Sequence, residues 1–178
     1  MDLTTKQRGV AQGMAAGALA SLAVLALAII LNPLGFPEHV ALQARASLAA
    51  SVSLVPIVFV FASIARLAKH RFFTPEDIDG GGLSPGTARA KVLQALLQNT
   101  LEQTVLAVGL YAAWAVLAPG TWLSALPLLA GCFALGRALF FSGYEGGAPR
   151  RALGFALTFY PTVMALVCLL ADLGWSAL

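Results

Sequence analysis

Five long apolar runs, separated by short polar breaks, organise this chain. They extend from about Val10 to Leu31, Val40 to Leu67, Arg89 to Leu117, Trp122 to Phe141 and Ala152 to Leu170. At about 20 residues or more, each is long enough as a helix to cross roughly 30 Å of hydrocarbon. The first run has the charge order of a signal peptide, with Lys6 and Arg8 ahead of it. It is too long for one, and it ends in Asn32-Pro33 without an A-x-A-like cleavage region, so it reads as a retained helix. Gly13, Gly17 and Ser21 recur along it at four-residue spacing, a stripe that predicts close approach of another helix. Pro56 and Pro161 interrupt the second and fifth runs, and Pro56 predicts a kink unless neighbours satisfy the freed carbonyl.

The breaks read as turns. Asn32-Pro33-Leu34-Gly35-Phe36-Pro37 and Ala118-Pro119-Gly120 carry turn residues throughout. The longest break follows Lys69-His70-Arg71. In it, Thr74-Pro75 predicts an N-capped helical turn, and Gly80-Gly81-Gly82 predicts a flexible linker. Asp77 and Asp79 faintly resemble a calcium loop, but Ala88 stands where the bidentate glutamate is required. The triple glycine has no following Gly-Lys-Ser/Thr and is no phosphate loop.

Composition settles the class. Of 178 residues, 59% are hydrophobic and 11% charged, and the mean hydropathy is +0.83. A soluble domain carries about 25% charged residues, so this is an all-α integral membrane protein. The net charge of +3 is the balance of eleven basic and eight acidic residues, the basic ones spread over the ends of apolar runs. That placement fits the positive-inside rule rather than nucleic-acid binding. Lys6 and Arg8, the break containing Arg66, Lys69, Arg71, Arg89 and Lys91, and the break containing Arg150 and Arg151 fall on one side. The expected orientation puts the amino terminus and these basic loops in the cytoplasm, in a bacterial inner membrane. Arg45, at the outer end of the second run, is expected to snorkel to the interface. Cys132 and Cys168 lie in separate apolar runs and read as small core residues. His39 and His70 have no second ligand in sequence, so no metal site is expected.

The chemistry concentrates in Leu93–Ala107, where Gln98, Asn99, Glu102 and Gln103 interrupt an apolar run. Asn99 and Glu102, at i and i+3, are expected to project from one face of a helix. Glu102 lies roughly 10 Å inside Ala95 at about 1.5 Å per residue. A carboxylate at that depth costs about 2.5–3.5 kcal/mol on insertion scales and calls for a partner. Arg137, near the end of the fourth run, is the expected partner of Glu102, with Tyr144, Arg150 and Arg151 around the same mouth. Such a cavity suits a ligand bearing both an ammonium and carboxylates. The same residues also suit a buried network that only fixes helix register. No Ser/His/Asp or Cys/His arrangement argues for a conventional hydrolase.

QNTLEQT on one span, followed by GRALFFSGYEGGAPRRALGF across the next basic loop, resembles the MAPEG superfamily. These are membrane-associated proteins of eicosanoid and glutathione metabolism, and the resemblance covers roughly residues 45–173. It implies a MAPEG-like four-helix membrane domain over residues 38–178, with residues 1–37 forming an extra amino-terminal transmembrane helix and turn. It further implies a homotrimer that binds glutathione, as co-substrate, between subunits. Asn99 and Glu102 would contact the tripeptide, Arg137 and Tyr144 would line its pocket, and Arg151 would activate the thiol. A nearby cation lowers a thiol pKa from about 8.5 and favours the thiolate. The sequence departs from glutathione-using members at Ala95 and Gln98, where those carry arginines, and at Phe140 and Phe155, where synthases place His or Tyr.

The expected function is therefore a glutathione-dependent transferase or peroxidase acting on hydrophobic electrophiles or lipid hydroperoxides drawn from the membrane lipids. The alternative is a non-catalytic lipid-binding scaffold resembling the 5-lipoxygenase-activating protein. A small transporter is a third reading, but the outer halves of the spans offer almost no polar path.

Overall fold

The computed structural model describes residues 3–176. It contains α1 (Leu3–Ala26), α2 (Leu42–Phe73), α3 (Ala88–Leu117), α4 (Ala125–Gly143) and α5 (Ala148–Ser176), with no strand among the described residues. With their flanking turns, all five are long and apolar enough to cross a membrane. The helices alternate in direction. At one end the α3 start meets the α4–α5 turn through an Arg89–Glu145 ion pair, and α1 meets α5 where Gly9 faces Pro149. At the other end, Gly120 packs against the backbone of Pro37 and Glu38.

Several boundaries differ from the hydropathy pattern. The second helix continues through Lys69, His70 and Arg71 to Phe73, since basic side chains in a last turn complement the helix dipole. It also runs unbroken through Pro56, next to which Thr104 Oγ1 donates to the Pro56 carbonyl at 3.3 Å. Trp122 does not begin α4. It lies in a 3-10 turn, Gly120–Ser124, where its carbonyl accepts from Trp114 Nε1 at 3.1 Å. The fifth helix starts at Ala148, directly after Gly147 turns the chain at φ 88°, with Pro149 in its first turn.

The principal core lies toward the end opposite the basic loops. Tyr111, Trp114, Leu123, Leu126 and Phe133 are all fully buried there. A smaller cluster of Leu67, Leu93, Leu96 and Phe140 closes the basic end. The glycine stripe docks α1 on α5. A Cβ on Gly13 would come within 2.9 Å of Ala152 Cβ, one on Gly17 would overlap Ala156 Cβ, and buried Ser21 bonds back to the Gly17 carbonyl at 2.6 Å. The far end of α1 winds into a π-helical turn, Leu27–Leu31, and stops at Asn32, whose φ of 41° is left-handed. Asn32 Oδ1 accepts from Phe36 N and from Ser124 Oγ, tying α1 to the α3–α4 turn.

Two local expectations are corrected. Arg45 is no free snorkelling cation. Its Nη1 donates to the Ala115 and Ala118 carbonyls at 3.1 and 2.8 Å, capping the end of α3, and its Nε donates to Val40 O. The segment Thr74–Gly86 is no free linker either. It opens with a 3-10 turn, Pro75–Asp77, although the Thr74 side chain does not cap it. The Asp77 carboxylate is buried and accepts from Thr87 N at 2.7 Å, Thr87 Oγ1 at 2.6 Å and His70 Nε2 at 2.8 Å. Thr87 in turn caps α3 by accepting from Ala90 N. These bonds, the Thr87 hydroxyl first among them, outweigh burial and hold the Asp77 carboxyl below its ordinary pKa.

Candidate functional site

Gly136 and Gly154 let α4 and α5 approach until a Cβ on Gly136 would stand 2.9 Å from the Gly154 carbonyl oxygen. That closeness brings Arg137 of α4 against Thr158 of α5. The Arg137 side chain is fully buried. Its Nη2 donates to Thr158 Oγ1 at 2.6 Å and its Nη1 donates to Asn99 Oδ1 of α3 at 2.8 Å. The guanidinium carbon lies 4.4 Å from the centre of the Phe140 ring, a cation–π contact. Among the described residues no carboxylate lies within ion-pair distance of Arg137, and its Nε has no partner.

The expected Arg137–Glu102 pair does not form. Glu102 lies on the exposed outer face of α3 and accepts from Gln98 Nε2 at 2.9 Å. An i, i+3 step on an α-helix leaves about 60° between side chains. Here that angle sends Asn99 toward α4 and Glu102 outward.

Asn99 instead faces Tyr144 and Arg151. The reversal at Gly147 folds the start of α5 back over α4, and the Arg151 guanidinium sits 4.3 Å above the Tyr144 ring. Asn99, Phe140, Tyr144, Arg151 and Phe155 line a cavity of about 390 Å³, completed by residues of α1 and the first turns of α5. Arg137 carries only donors, so it holds the Asn99 carbonyl oxygen toward itself and leaves the Asn99 NH₂ as the donor on the cavity side. The cavity therefore offers one cation and one amide donor against aromatic walls. It suits an anionic or carbonyl-bearing group with an apolar attachment.

Asn99, Tyr144 and Arg151 are thus brought together, with Arg137 directly behind them. Glu102 and Arg150 are not: Arg150 is exposed, its side chain lying over Gly146. A second, larger cavity of about 820 Å³ flanks the outer face of α3 and carries Arg71, Lys91, Gln94, Ala95 and Gln98. Thr158 went unnoticed in the sequence. The available signal was a threonine in an apolar span, one turn after Gly154 and one turn before Thr162. Among the described residues no group of three His, Cys, Asp or Glu side chains could hold a metal.

The MAPEG family model matches residues 45–171. The chain belongs to the MAPEG family. No curated protein and no solved structure matches it. The family match and the five apolar helices make it a multi-pass membrane protein. In this MAPEG chain the matched stretch starts in α2 and ends in α5. It contains every residue of the Asn99–Arg137–Thr158 network together with Tyr144 and Arg151, while α1 lies outside it.

Proposed function

We propose that this MAPEG protein joins glutathione to hydrophobic electrophiles that reach it from the bilayer. The observation that carries the reading is the convergence of Arg151, Tyr144 and the donor face of Asn99 on one cavity in a chain of this family. Arg151 stabilises the glutathione thiolate by proximity of opposite charge, and the Tyr144 ring fixes the guanidinium plane beneath it. The thiolate sulfur attacks an electrophilic carbon and a C–S bond forms; from an aryl halide the halide departs with its electron pair, whereas an unsaturated aldehyde gives up its C=C π bond and takes a proton from water at the α-carbon. The thiol proton goes to bulk water. With a lipid hydroperoxide the same thiolate attacks the peroxide oxygen, and a second glutathione completes reduction to alcohol, water and glutathione disulfide.

Asn99 donates to a carboxylate or peptide carbonyl of the tripeptide, and Arg137 and Thr158 hold Asn99 in that orientation. Glu102, on the outer face, is available to the glutathione ammonium where a neighbouring subunit closes a homotrimer over α3. Arg150 adds positive charge at the cytoplasmic mouth. The protein sits in a bacterial inner membrane with its basic loops in the cytoplasm, where glutathione is available.

The experiment is glutathione binding to the detergent-purified protein by calorimetry, with Glu102→Gln and Arg151→Ala in parallel. Saturable binding weakened by both substitutions supports the reading. No binding up to about 10 mM, less than roughly 3 kcal/mol of affinity, sinks it. The neutral Ala95 and Gln98 on the outer groove favour the second reading in that event, a lipid-binding protein without turnover.

A further inference from the structure

Part of the apolar lining of the cavity is supplied by a helix that the family match does not include. Val10 and Met14 of α1, one turn apart, line the same space as Phe140 and Phe155. The glycines beside them set their reach. A Cβ on Gly9 would come within 2.9 Å of Pro149 Cβ, and one on Gly13 within 2.9 Å of both Ala152 Cβ and the Leu153 amide nitrogen. Backbone-close packing therefore places Met14 at the cavity rim instead of a side chain's length away.

We propose that α1 is the substrate-selecting wall of this site. Met14 and Val10 pack against the apolar part of the electrophile, and Met14 limits its size, so that compact aryl groups are accepted ahead of long alkyl chains. The inference rests on the glutathione reading above and deepens it by naming the substrate class. Three observations point to compact aryl groups. The cavity, at about 390 Å³, stands near the lower end of the roughly 300–1,000 Å³ usual for small-molecule sites. Its walls are aromatic, with the Phe140 and Phe155 rings 6.4 Å apart and Phe155 stacked on Phe159 at 5.5 Å. The Met14 thioether, polarizable and unbranched, makes favourable contacts with aromatic ring edges. The side chain is also 41% exposed, so nothing in the fold pins it away from an incoming ring.

The test uses the full chain in detergent, with Met14→Ala, Met14→Trp and, as a control on the lipid-exposed side of α1, Leu22→Ala. Conjugation of a compact aryl halide is compared with conjugation of a long-chain 2-alkenal. Met14→Ala is expected to shift the kcat/KM ratio toward the alkenal by about tenfold. Met14→Trp should depress both substrates, Leu22→Ala neither, and glutathione affinity should hold throughout. An unchanged ratio in both Met14 variants, with glutathione binding intact, overturns the wall and leaves the glutathione reading standing. If the wild-type chain binds no glutathione, that reading fails instead, and a photoreactive aryl carboxylate tests the wall by itself. Cross-links at residues 10–14 that Arg151→Ala abolishes support it; cross-links spread over the lipid-exposed face of α2 overturn it.

Discussion

Replacing Gly17 by alanine adds one methyl group at the tightest point between α1 and α5. The new Cβ would overlap Ala156 Cβ, with Ala156 Cα only 3.3 Å away, so the helices must separate. Between apolar helices in a membrane there is no hydrophobic gain, and dispersion carries most of the contact. Each close pair of heavy atoms contributes about 0.1–0.2 kcal/mol, so a seam of a few tens of pairs holds roughly 3–6 kcal/mol. A gap of about 0.5–1 Å forfeits a quarter to a half of that, or roughly 1–3 kcal/mol. The better helix propensity of alanine returns up to about 1 kcal/mol. The single substitution therefore under-reports the collision, and a double-mutant cycle isolates it. Ala156→Gly removes the colliding methyl, so Gly17→Ala with Ala156→Gly should recover the seam, with a coupling energy of about 1–2 kcal/mol. Unfolding in mixed micelles at increasing SDS, followed by circular dichroism, measures all four variants. Gly17→Leu, which Ala156→Gly cannot accommodate, should release α1 altogether. Additivity within about 0.3 kcal/mol, or a Gly17→Leu variant as stable as wild type, would refute the seam.

Two further predictions concern the helix connections. Because the folded Asp77 carboxyl is held below its ordinary pKa of 3.8, its contribution to stability is present above that value and lost as pH falls through the lower, folded one. Limited proteolysis should find Thr74–Thr87 protected at neutral pH and increasingly cleaved by an acid-active protease below about pH 4, whereas Asp77→Asn should be cleaved at neutral pH as well; equal protection of the two proteins at neutral pH would refute the clamp. Arg45→Met strips the end of α3 of two charged hydrogen bonds, each worth about 1.5–3 kcal/mol when buried and less at this half-exposed site. A thermal midpoint several degrees lower is expected, and an unchanged one would mean that water replaces the guanidinium without loss.

Much of this architecture was legible because membrane helices advertise themselves by length and apolarity. The Gly13, Gly17 and Ser21 stripe even announced a close packing partner, although nothing local named α5 as that partner. Asn99, Arg137, Tyr144 and Arg151 could be gathered from their depth along the spans. Depth alone does not give rotation about the helix axis, so Glu102 matches Arg137 in depth although it points the other way. The Asp77 clamp was hidden because its main partner, Thr87, lies ten residues on, beyond a run of glycines whose composition suggests only flexibility. Nor does any local pattern mark Arg45 as a cap, since the carbonyls it binds belong to α3, 70 and 73 residues away.

The docking of α1 on α5 also imposes an order on biosynthesis. Helix α1 enters the bilayer well ahead of α5, its main partner, and 139 positions separate Gly17 from Ala156. At about 5–20 residues per second, translation leaves the glycine stripe facing lipid for roughly 7–28 s before its own α5 exists. Through that interval the stripe is open to any α5 already in the membrane. Two chains inserted side by side can then exchange their α1 helices and become interlocked without making a contact that the single chain lacks.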